Sequence, residues 1–245
     1  MSGFKGVGQV LRFNWSAYAA AAGVLALALF APRRLRRPIA VVAIATTWFA
    51  AASLVVTNLV YDRSEYAGWD WPRSLFRRQP RRVAVFHAGL DNVSANLIRL
   101  WPEAEIQVID FYNPVTMTEP AIARARGGRR HGESLDELRP KLDAAFVVLA
   151  AHELRTGPDR SEFFRRVAHA LMPAGRLVLL EHLRDVPNVL VYGPGAWHFL
   201  SRDDYLMAFE NAGLSLLEER SMTPFLRLFQ LKRSVRAQRR LIWDG

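Results

Sequence analysis

Three histidines could do acid–base chemistry. His152 follows the apolar run DAAFVVLAA, His182 follows GRLVLLE, and His198 ends the stretch between 182 and 200. An imidazole titrates near neutrality, so a histidine beside a cleft can take or give a proton where a substrate must change charge. Each is equally an ordinary structural hydrogen-bonding residue. Other chemistries are closed. The chain has no cysteine, which removes thiolate nucleophiles, disulfides, iron–sulfur clusters and thiol-ligated metals. His152-Glu153 opens like a zinc-protease helix, but Thr156 stands where the second histidine is required, so no metal site is expected. No G-x-S-x-G elbow is present.

Elements that place such histidines at one edge belong to an alternating α/β pattern. VAVFHAG (83–89), EIQVIDFY (105–112), DAAFVVLAAHEL (143–154) and MPAGRLVLLEH (172–182) read as buried strands. Between them lie helices over about 91–101, 118–126 and 161–171, and Ser201 with Asp204 caps another that Gly213 closes. LSLLEE and FLRLFQLKR form an antiparallel ribbon at one edge, joined through Thr223-Pro224. The expected fold is a Rossmann-like doubly wound sheet, and such sheets bind ligands at the carboxyl ends of their strands. Gly193-Pro194-Gly195 with Trp197 and Phe199 either lines an acceptor pocket or is a rigid linker packed on the sheet.

Ahead of this domain, residues 15–31 and 39–61 carry no charge, and PRRLRRP joins them. About 20 residues cross a hydrocarbon core, so the two runs predict a transmembrane helical hairpin over 1–62, followed by a basic juxtamembrane linker, 63–82. The α/β domain then occupies 83–233 and a basic tail 234–245. The 245 residues carry a net charge of +10, unevenly. Residues 1–82 hold twelve Lys and Arg against three acids, residues 83–231 sixteen against nineteen, and residues 232–245 five against one. With a slightly acidic domain body there is no continuous basic groove, and no nucleic-acid partner is expected. The expected partners are membrane lipids, through the hairpin, or other membrane-protein subunits, since Ala17, Ala20, Ala21 and Ala28 permit close helix packing. Eight flanking basic residues against four in the loop favour both termini in the cytoplasm, with the chain in the inner membrane.

LMPAGRLVLLEHLRD, the acidic Asp110 closing the second strand, and FLSRDDYLMAFENAGL with TPFLRLFQL resemble the class I S-adenosylmethionine-dependent methyltransferases over about 83–233. DFYNPVTMTEPAIARAR, AAHELR, and EHLRD followed by YGPGAWHFL resemble a bacterial, membrane-anchored subgroup of them. The resemblance implies S-adenosylmethionine as cofactor. His87 stands where the family has an acid, and Gly89 is the one glycine kept from a glycine-rich loop. Asp91 either caps the next helix or replaces lost polar contacts. Asp110, 21 residues after Gly89, would take the ribose hydroxyls, or caps the next turn. Gly132 and Glu133 match the positions near the adenine, and Ala151 with His152 would face the methyl donor, with His152, His182 and His198 as candidate bases. Two functions follow: methyl transfer to a lipophilic acceptor, such as a quinone, carotenoid, lipid or tetrapyrrole, or a catalytically degenerate accessory subunit of a respiratory or photosynthetic membrane complex.

Overall fold

The structure, a computed structural model, describes residues 4–128 and 131–234; nearly all of the basic tail lies outside them. Helix α1 (Lys5–Leu29) and helix α2 (Arg36–Thr57) pack as an antiparallel hairpin, and α2 runs on into a π-helical turn, Asn58–Arg63. Both helices are long and apolar enough to cross a membrane. Helix α1 begins ten residues before the uncharged run because its polar first turns are used by the rest of the chain. Asp62 accepts from the Gly6 N–H at 2.8 Å, and the helix kinks at Asn14, whose side-chain amide donates to the Val10 carbonyl. Two single turns, α3 (Glu65–Gly68) and α4 (Trp71–Ser74), lead into the sheet.

The α/β part runs β1 (Arg82–His87), α5 (Ser94–Leu100), β2 (Glu105–Asp110), α6 (Pro120–Arg126), β3 (Leu142–Val148), α7 (Gly157–Ala170), β4 (Leu171–Glu181), α8 (Val186–Tyr192), α9 (Arg202–Asn211), β5 (Leu214–Thr223) and β6 (Leu226–Arg233). Strand order is β2-β1-β3-β4-β6-β5, with the first four parallel and β6 antiparallel between β4 and β5. Next to β2, a single bridge from Ile109 to Glu133 replaces a further strand. Both faces are buried, which explains why β1 over Val83–Phe86 and β3 over Ala144–Val148 are apolar without alternation. Phe86, Ala145 and Leu179 pack with α7 and α9 through Phe163, Phe164 and Phe209. Val85, Phe146 and Leu180 face the other way, onto Leu97 and Trp101 of the α5 side and onto Val56, Val60, Tyr66 and Trp71. The end of the hairpin is therefore core.

Several boundaries differ from the sequence expectation for local reasons. β3 stops at Val148 because Ala151–Glu153 form a 3-10 turn, and α7 starts at Gly157 since Thr156 caps it from its hydroxyl. α5 starts at Ser94 because Asp91 accepts from the Val93 and Ser94 amides, each at 2.9 Å. The stretch 182–200 is not loop but α8, capped by Asp185, followed by a 3-10 turn, Gly193–His198. The box at the start of α9 forms as its spacing predicts.

Candidate functional site at the carboxyl edge of the sheet

Two cavities open at the carboxyl ends of the parallel strands. The first, about 480 Å³, runs from Ala88–Leu90 after β1 to Ala150, His152 and Glu153 after β3, and its outer wall is α1, through Gln9 and Phe13. The second, about 630 Å³, lies over Asp110, Tyr112, Ser134 and Leu135. Helix α6 contributes to both, with Ile122 in the first and Arg126 in the second.

At the β1 end, Gly89 lets α6 come close: a Cβ there would lie 2.9 Å from Ile122 Cγ2. His87 is buried and its Nε2–H donates to the His131 carbonyl at 2.6 Å, while its Nδ1 has no partner among the described residues. Asp91 is taken up as a helix cap. The Asp110 carboxylate, with a side chain 1% exposed, holds a bidentate ion pair with Arg126, 2.8 Å at each oxygen. It also accepts from the amides of Tyr112 (3.2 Å) and His131 (3.1 Å). Burial would raise its pKa, but Arg126 and the two amides outweigh that and hold the carboxyl below its ordinary value. Gly132, at φ +135°, brings the chain so close to β2 that a Cβ would meet the Val108 carbonyl at 2.7 Å. Glu133 turns to Gln107 and Arg139.

Beyond β3 the structure assembles a cluster that sequence spacing does not reveal. Glu181, fully buried at the end of β4, accepts from the Ala151 amide at 2.6 Å and holds His152 Nδ1 at 2.8 Å. His152 Nε2 then meets Glu153 Oε1 at 3.2 Å, and so does His198 Nε2. Glu119 takes His198 Nδ1 at 3.1 Å, and the Arg155 guanidinium lies against the same ring. Burial alone would lower the pKa of His152, yet Glu181 and Glu153 override it and push the imidazole up to about 10. Burial would raise Glu153, but the bonds from His152 and His198 keep it far below the usual carboxylate range. His152 is thus an imidazolium between two carboxylates, with Glu153 beside the cavity.

His182 is placed apart from this cluster. Its Nδ1 bonds the Phe225 carbonyl at 2.9 Å, its Nε2 takes the Tyr61 hydroxyl at 3.0 Å, and its ring stacks on Phe199. Burial pushes it down to about 4, so it is neutral and ties the hairpin to β4. Gly193, at φ +54°, packs against Phe49 of α2, and Trp197 is exposed, so this turn serves the hairpin contact instead of either cavity. Of the sequence-predicted residues, Gly89 and His152 line the first cavity and Asp110 the second; His198 joins His152 through Glu153. Glu119, Glu181, Arg126 and Arg155 went unread. Only Glu181, a charge closing the apolar run LVLLE, carried a signal.

No family model and no curated protein matches the chain. Among solved structures it is similar to the mitomycin 7-O-methyltransferase MmcR, at 15% identity and TM-score 0.51, covering 96% of this chain and 74% of that one. It is also similar to a protein of Nostoc punctiforme PCC 73102 assigned as an O-methyltransferase, at 15% identity and TM-score 0.54, covering 92% and 72%. The pyocyanin biosynthetic protein PhzM matches at 13% identity and TM-score 0.53, covering 75% of this chain and 58% of that one. The likeness, with the inserted antiparallel β6, shows the class I methyltransferase fold.

Proposed function

We propose that the chain is a membrane-anchored S-adenosylmethionine-dependent methyltransferase acting on a lipophilic acceptor. The observation that carries this reading is the first cavity: it joins the loop after β1 to the His152–Glu153 pair and is walled by the hairpin's own first helix. A substrate dissolved in the bilayer would reach the domain along that helix. Around the hairpin, Trp48 donates to the Leu190 carbonyl at 3.0 Å, and Val186 and Leu190 of α8 are exposed, which extends the apolar belt onto the domain. An apolar surface of this kind suits membrane lipids, and the excess of basic flanks over the basic loop suits a cytoplasmic domain on an inner membrane.

The residues fit the cofactor in kind and place. A buried carboxylate closes β2, where ribose hydroxyls bind in doubly wound folds. The backbone of Gly89 and Leu90 borders the cavity that would take the amino-acid end. Ile122 and Arg126 stand between the two cavities and must turn aside for one ligand to span both. Bound there, the cofactor supplies an electrophilic sulfonium methyl. This chain's part is to hold the acceptor in line and away from water. The His152 imidazolium, with Nδ1 fixed by Glu181, and the ionised Glu153 would hold the polar group of the acceptor in line with the methyl. His152 is already protonated and so is not the base the sequence suggests, and the proton an acceptor hydroxyl sheds would leave to solvent. Calorimetry of the full chain in detergent tests the reading: S-adenosylmethionine should bind, and Asp110→Ala should abolish binding. A folded chain that binds none at millimolar cofactor refutes it.

One observation favours the second reading, a non-catalytic subunit of a membrane complex. Arg126 occupies the Asp110 carboxylate and Ile122 sits over Gly89. Native sizing after gentle extraction separates the two, since a monodisperse free monomer counts against the subunit reading.

A further inference from the structure

We propose that His152, Glu153 and His198 form a binding site for a divalent transition-metal ion at the inner end of the first cavity. One ligand atom from each lies within 4.8 Å of the others. Two imidazoles and a carboxylate on one side of an ion leave further positions open, and those positions would face the cavity that His152 and Glu153 line.

The surroundings have the form that metal ligands need. A ligating histidine normally has its second nitrogen held by a carboxylate, which sets the tautomer and aims the other nitrogen. Glu181 does this for His152 at 2.8 Å, and Glu119 for His198 at 3.1 Å. Glu181 cannot turn away, being fully buried and pinned by the Ala151 amide. Both Nε2 atoms are thereby directed at Glu153, whose side chain is 6% exposed. Its second oxygen, Oε2, is buried without a hydrogen-bond partner among the described residues, the Arg155 guanidinium lying 4.0 Å away. A buried carboxylate oxygen with a cation near it but no hydrogen bond still has acceptor capacity to spare for a ligand.

Charge points the same way. Among the described residues, the guanidinium paired within the carboxylate set Glu119, Glu153 and Glu181 is Arg155, 3.6 Å from Glu119 and 4.0 Å from Glu153. With both imidazoles neutral, the group carries two uncompensated negative charges, which one divalent ion neutralises. Binding requires that the two Nε2 protons leave to solvent, as ligation always does for a protonated imidazole. It also requires that Arg155 slide from the His198 ring toward Glu119, and a third-exposed side chain on the surface can do so. The zinc-protease spacing is still absent. The third ligand comes from 45 residues beyond Glu153, on the 3-10 turn after α8, so no local motif reports it.

The site is tested with metal alone and does not depend on methyl transfer. Untagged full chain in detergent, stripped with a chelator, is titrated with Zn²⁺ by calorimetry and with Co²⁺ by visible absorption. One ion per chain should bind, and Co²⁺ should show the d–d bands of a nitrogen and oxygen ligand set. His198→Ala and Glu153→Gln should each weaken binding by at least tenfold, and Glu181→Gln by roughly 10- to 100-fold through loss of its hold on His152. His131→Ala, at a histidine outside the cluster, should leave binding intact. Thermal melts confirm that each variant is folded. No ion uptake by the folded wild-type chain, or uptake undiminished in both His198→Ala and Glu153→Gln, overturns the proposal.

Discussion

Under the proposed function, Arg126 decides whether the nucleotide end of the site is open. An ionised carboxylate has about four acceptor positions. On Asp110 all four are used, two by Arg126 at 2.8 Å and two by the Tyr112 and His131 amides. Ribose hydroxyls can bind only where the guanidinium now sits. Breaking a buried, hydrogen-bonded ion pair costs about 3–5 kcal/mol when one charge is left unpaired. Here part of that is recovered, because the ribose replaces the lost donors and Arg126, leaving its place 4.1 Å over the Tyr112 ring, moves to solvent. A residual cost of about 2 kcal/mol weakens cofactor binding roughly thirtyfold. In Arg126→Ala no pair has to be broken. The variant should be less stable than wild type by about 3 kcal/mol without ligand and bind S-adenosylmethionine roughly thirtyfold more tightly. Calorimetry and thermal melts of both chains in one detergent check this, and the cofactor-induced rise in Tm should be larger in the variant. Equal or weaker binding by Arg126→Ala refutes the reasoning, since Arg126 would then be part of the cofactor site and not its competitor. Asp110→Ala should bind poorly whatever stands at position 126.

His152→Ala should lower methyl transfer by about 10²-fold through loss of acceptor alignment while calorimetry finds cofactor affinity unchanged, because the cluster touches the acceptor end only. His182 has a folded pKa of about 4, below the unfolded value near 6.5. Its contribution is therefore complete above pH 6.5 and is lost as pH falls toward 4, by an amount on the order of 3 kcal/mol. His182→Gln, which does not titrate, should flatten the stability profile across that window in melts taken from pH 7 to 4. Gly132→Ala places a Cβ 2.7 Å from the Val108 carbonyl at φ +135° and should cost about 2 kcal/mol or more in denaturant unfolding.

What the sequence displays and what it hides divide along contact distance. Strands and caps are local: the apolar runs at 83–87 and 177–180, the Ser201–Asp204 box and the glycine turns all appear where their residue types require. Asp110 is legible for the same reason, as a polar residue closing an apolar strand. The chemistry is not local. Glu119, His152, Glu181 and His198 come from four elements spread over 79 residues and meet only because β3 and β4 are neighbours with α6 and the 3-10 turn above them. Charge and hydropathy change abruptly near residue 62, so the sequence predicts a hairpin set apart from the α/β domain. Packing is indifferent to that change. Val60, Tyr66 and Trp71 lie in one cluster with Val85 and Phe146, and Tyr61 hydrogen-bonds His182. Helix α1 meanwhile walls the first cavity and receives Arg124 on its Phe13 carbonyl at 2.6 Å. A hairpin that supplies both core and pocket wall cannot be removed without opening the first cavity. On the proposed function, membrane attachment and substrate access would be one structural feature of this chain, and a domain cut at residue 82 would lose the α1 wall of the first cavity, against which a lipophilic acceptor would lie.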